Sequence, residues 1–71
     1  VSIFNIKMKT LIVKADDGRE YHVDDPNGFY QHLVDFHSDN SIGNNSVHEE
    51  NGYYFTVTPS FYDTVKKFIE K

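Results

Sequence analysis

The sequence predicts a single small α+β domain of ββα-ββα order, with two hairpins forming a mostly antiparallel sheet and two amphipathic helices packed on one face. Three observations carry that expectation. The turn dipeptides Asp17-Gly18 and Asn51-Gly52 each follow a strand-like run and precede another. Asp25-Pro26 and Thr58-Pro59 each place a capping residue before a proline suited to the first helical position. Phe29-Tyr30 and Phe61-Tyr62 each begin an apolar stripe, with an aliphatic residue and a Phe at offsets of four and seven.

These coincidences suggest an internal repeat, residues 9–37 and 47–70, joined by a loop over 38–46. The alignment is imperfect. Gly18 to Gly52 is a shift of 34, Pro26 to Pro59 of 33 and Phe29 to Phe61 of 32, so two single-residue deletions are needed. The spacing within the stripes is common to amphipathic helices, whereas the shared Phe-Tyr, proline and turns go beyond it.

Taken in order, residues 1–7 read either as an extension before Met8 or as a lengthening of the first strand. Lys9 to Ala15 is rich in β-branched residues, and its contiguous apolar run suits a strand covered on both faces. With Asp17-Gly18 at the tip of a type I′ hairpin, Asp16 should oppose Arg19, Lys14 Tyr21, and Ile12 Val23. The return strand is expected over 19–24. A helix over 26–37 should bury Phe29, Leu33 and Phe36, with Tyr30 and Val34 widening the stripe. Residues 38–46 are polar and read as a mobile connector.

In the second half, 47–50 reads as a short strand. In the run from Tyr53 to Thr58, Tyr53, Phe55 and Val57 alternate with Tyr54, Thr56 and Thr58. The last helix should bury Phe61, Val65 and Phe68, supported by Ile69. Thr58 is its cap and Ser60 an alternative one. Lys66, Lys67 and Lys71 should complement its C-terminal dipole.

Length bounds the rest. A chain of 71 residues holds one domain, 1–71, and buries only roughly 60% of its unfolded surface. It has no cysteine to supply disulfides, and aromatics at 15% are the expected substitute. No apolar run approaches the ~18 residues of a membrane span, and a cytoplasmic location is expected. Net charge is −4, from 7 basic and 11 acidic residues, which disfavours nonspecific nucleic-acid binding. Asn44-Asn45-Ser46 matches a glycosylation sequon, a pattern common by chance.

Catalytic signals are absent: there is no cysteine nucleophile, no Gly-x-Ser-x-Gly elbow and no glycine-rich phosphate loop. Four histidines raise the question of a metal. His32 and His37, five apart, would sit about 140° apart on a helix, and His22 and His48 fall on different strands. No catalytic, cofactor-binding or metal-ligating residue is therefore assigned, and no cofactor is expected.

The functional expectation is a small non-enzymatic protein–protein interaction or regulatory module. Its candidate surface is Tyr53, Tyr54, Glu49, Glu50, Tyr30 and Tyr62, because tyrosine combines a large apolar body with a polar tip. The expected partner is another protein. Nucleic acid is disfavoured, no membrane is expected, and sheet edges offer a route to self-pairing. Two alternatives use other chemistry. The lysine-rich helix and aromatic strand could bind nucleic acid, or the acidic pairs 16–17, 24–25 and 49–50 could mimic it.

Overall fold

The structure, a computed structural model, describes residues 10–70. The readings that concern residues 1–7, Met8, Lys9 and Lys71 lie outside the described residues. Eight elements follow in order: β1 (Leu11–Lys14), β2 (Glu20–Val23), α1 (Pro26–Phe36), β3 (Ser38–Asp39), β4 (Ile42–Gly43), β5 (Val47–Glu50), β6 (Tyr53–Thr56) and α2 (Pro59–Glu70). The result is a small α+β architecture with two helices and three antiparallel two-stranded sheets, β1-β2, β3-β4 and β5-β6. The expected ββα-ββα order is thus interrupted by a third hairpin, and the two larger hairpins do not merge into one ladder.

Asp16 makes the backbone link between them. Its backbone N–H donates to the Tyr54 carbonyl at 2.7 Å. Its carboxylate accepts from the Thr56 backbone N–H and hydroxyl, both at 2.8 Å. Side-chain bonds from Tyr21 to Glu50 and from Asn51 to Tyr21, each 2.7 Å, add to this junction, so the hairpins are fastened without continuous pairing. Eleven apolar or aromatic residues form the core, with Leu33, Val57 and Val65 fully enclosed. Phe55 lies at its centre, edge-on to Phe29 at 5.8 Å and tilted against Tyr21 at 5.5 Å.

The first hairpin departs from its expected register by one residue. Leu11 pairs with Val23, Ile12 with His22, Val13 with Tyr21 and Lys14 with Glu20. Gly18 has φ +91°, whereas neither Asp16 nor Asp17 has positive φ, so the turn is not type I′. The Gly18 N–H instead donates to the Ala15 carbonyl, and the Ala15 N–H to the Arg19 carbonyl. A type I turn followed by a left-handed glycine adds one residue to the loop. Because side chains alternate with period two, that one-residue slip turns Ile12 outward, 45% exposed, and sends Leu11, Val13 and Ala15 into the core. β1 is therefore covered on one face, not on both.

The connector over 38–46 is folded. Asn40 and Ser41 both have positive φ, at 53° and 64°, and make the two-residue turn between Asp39 and Ile42. Downstream, the Asn45 N–H donates to the Val57 carbonyl and the Val57 N–H to the Ser46 carbonyl. Gly43 lies so close to the following segment that a Cβ there would collide with the Thr58 carbonyl and come 2.7 Å from that of Val57. Only glycine allows that approach.

Both helix starts follow their caps. The Asp25 side chain accepts from the Gly28 N–H and Thr58 Oγ1 from the Phe61 N–H, each within 3.1 Å. The buried faces differ from expectation. In α1, Phe29 and Leu33 are buried but Phe36 is 65% exposed, so the apolar stripe is buried only in its first two members. In α2, Tyr62 and Val65 are buried while Phe61, Phe68 and Ile69 only flank the core, so the helix is rotated from the expected stripe.

Candidate functional site

Three imidazoles converge where α1 ends. His32 lies on the exposed side of α1 in its last two turns, His37 is the residue that caps its C-terminus, and His48 is in β5. Ring centroids are 4.6 Å apart for His32 and His48, 5.2 Å for His37 and His48, and 5.5 Å for His32 and His37. One ring nitrogen from each lies within 4.8 Å of the others. The helical spacing argument fails because His37 is already out of the helix, with backbone φ −132° and ψ 23°. Leaving the helix swings its ring back beside His32. His48 joins them because alternation along β5 turns it inward with Glu50, against Phe29 and Phe55.

Hydrogen bonds fix the tautomer of each buried ring. Asn44 Oδ1 accepts from both the backbone N–H and the hydroxyl of Ser46, which uses the only proton on that hydroxyl. His37 Nδ1, 2.7 Å from Ser46 Oγ, must therefore donate, and Nε2 keeps its lone pair. His48 Nε2 is 3.0 Å from Glu50 Oε1, an acceptor only, so Nε2 donates and, in the neutral ring, Nδ1 carries the lone pair. The other oxygen of Glu50 accepts from the Tyr21 hydroxyl at 2.7 Å, which in turn accepts from Asn51 Nδ2 at 2.7 Å.

His37 and His48 are 8% and 4% exposed, and His32 lies open to solvent. Burial, followed by the neighbouring His48 and His32, holds the His37 pKa below its ordinary value and favours the neutral ring.

The residues expected to form an interaction surface are dispersed. Tyr62 is buried at 2% exposure and packs against half-buried Tyr30, with ring centroids 5.8 Å apart. Interaction with the Tyr62 phenol, then burial, pushes the Tyr30 pKa up to about 12. Tyr53 lies tilted against Tyr21, ring centroids 4.8 Å apart, and under the Arg19 guanidinium at 4.2 Å. Glu50 is engaged with Tyr21 and His48. Tyr54 and Glu49 remain outward, as cross-strand partners on the free face of the hairpin.

No protein-family model, curated protein or solved structure matches the chain. What the site can do follows from its own groups. Three imidazoles, two held by outer hydrogen-bonding partners, form the one side-chain set among the described residues with metal-ligand character.

Proposed function

We propose that the chain is a small non-enzymatic module that binds another protein through the outward face of the β5-β6 hairpin. The observation that carries this reading is Tyr54, 56% exposed on a face where its neighbours Tyr53 and Phe55 have turned inward. Val47, 51% exposed, lies diagonally across the strand pair from it, since Val47 pairs with Thr56 and Glu49 with Tyr54. An exposed aromatic beside an aliphatic and a carboxylate, on a chain of net charge −4, suits a partner with an apolar centre and basic rim.

Parallel affinity capture with the parent protein and Tyr54→Ser tests it. Loss of a Tyr54→Ser hairpin contact leaves the core untouched, so the variant should stay folded. The expected result is a protein retained by the parent whose measured affinity for Tyr54→Ser is at least about tenfold weaker, a loss typical of an interface aromatic. Identical captured sets from both baits overturn the reading. Retardation of oligonucleotides at low salt would move it to nucleic acid.

A further inference from the structure

We infer that His32, His37 and His48 form a site for a divalent late first-row transition ion, with Zn(II) as the reference, that clips α1 to the second hairpin. The inference is independent of the surface around Tyr54. Three features of the site support it.

The first is ligand supply. Zn(II) takes neutral imidazole nitrogens, and three protein ligands plus water complete its tetrahedron. A Zn–N bond of about 2.1 Å places ligand nitrogens about 3.4 Å apart, against the 4.8 Å within which these three lie. Closing that gap shortens the nitrogen separations by at most about 1.4 Å. His32 is solvent-exposed and makes no side-chain hydrogen bond among the described residues, so its side-chain torsions can bring it toward the other two rings. The same exposure gives the ion an entry path.

The second is preorganisation. Metal-bound histidines characteristically donate their remaining N–H to a carboxylate or other acceptor, which sets ring orientation and tautomer. His48 does this to Glu50 and His37 to Ser46. Each of those acceptors is itself held, Glu50 by Tyr21 and Ser46 by Asn44.

The third is need. A cysteine-free chain of 71 residues has a small core and no covalent staple. An ion bound by α1, its C-cap and β5 closes the 37–48 segment and couples the helix to the β5-β6 hairpin. Binding to the native state alone raises stability by mass action. The absence of cysteine among the ligands sets the chemistry: imidazole suits Zn(II), Ni(II) and Cu(II), not an iron–sulfur cluster.

The test is Zn(II) titration of the metal-free full chain, followed by calorimetry and by NMR of the histidine ring protons. The expected result is one ion per chain, with resonances of His32, His37 and His48 shifted and those of His22 unchanged, and a raised melting midpoint. His32→Ala, which removes an exposed ligand without opening the core, should lower affinity at least about tenfold, as even loss of an outer partner does. His22→Ala should bind as the parent does. Absence of saturable one-to-one binding, shifts centred on His22, or unchanged affinity in His32→Ala each overturns the inference.

Discussion

The two halves of the chain use the same Phe-Tyr dipeptide in opposite ways. In α1, Phe29 is 3% exposed and Tyr30 half-buried; in α2, Tyr62 is 2% exposed and Phe61 half-buried. Their hairpins differ as well. Asn51 and Gly52 both have positive φ and make the tight type I′ turn that the dipeptide favours, whereas Asp17-Gly18 adopts a longer turn that shifts register. Similar local signals thus specify element type in both halves. The face each element buries is decided by what packs against it. Tyr62 enters the core with its ring 5.8 Å from that of Tyr30, which offers its phenol a polar neighbour.

The largest effect that would break this comparison is aromatic truncation. Phe29→Ala should cost about 3–5 kcal/mol, as for a fully buried Phe, and Phe61→Ala distinctly less, because Phe61 only flanks the core. Urea unfolding of both variants measures the difference. Equal losses would show that the halves are energetically equivalent despite their different burial.

A smaller effect tests how the halves are joined. Asp16→Ala removes the acceptor for both Thr56 groups and should cost about 1–3 kcal/mol. Hydrogen exchange should then report faster exchange at the Thr56 amide while the ladder of each hairpin stays protected. A loss no greater than that of an ordinary surface substitution would mean the Asp16 carboxylate adds nothing to the other contacts between the hairpins, the Tyr21–Glu50 bond among them.

The smallest expected effect sharpens the pairing of α1 with α2 through pH. The Tyr30 phenol holds its proton more strongly in the folded chain, with a pKa of about 12, than in the unfolded chain, near the ordinary tyrosine value of 10.0. The folded state therefore retains a proton that the unfolded state releases. Its contribution is complete below pH 10 and is lost as pH rises toward 12. Tyr21 is shifted the same way by burial and then by Glu50. Tyr30→Phe should flatten the alkaline decline in melting temperature without abolishing it. An unaltered slope would place the titration elsewhere.

Much of the architecture was legible before the structure. Asp25-Pro26 and Thr58-Pro59 marked both helix starts, because a cap and a proline act within one turn of chain. Asn51-Gly52 marked its hairpin for the same local reason. The third hairpin was hidden because Asn40-Ser41 lacks the glycine that usually announces positive φ. Of the expected surface residues, Tyr54 and Glu49 lie on the free hairpin face, whereas Glu50, Tyr53, Tyr30 and Tyr62 are taken up by internal contacts. The imidazole cluster was the least legible. Helical spacing separates His32 from His37, and only the exit of the chain at His37 reverses that separation.

By itself, then, the sequence determined where helices begin, where the second hairpin turns and how its strand alternates. Those outcomes depend on backbone torsions and hydrogen bonds spanning two to four residues. Tertiary structure decided the register of the first hairpin, the rotation of α2, the folding of residues 38–46 and the meeting of His32, His37 and His48. Each of these depends on contacts between segments distant in the chain, whose outcome local residue preferences do not specify.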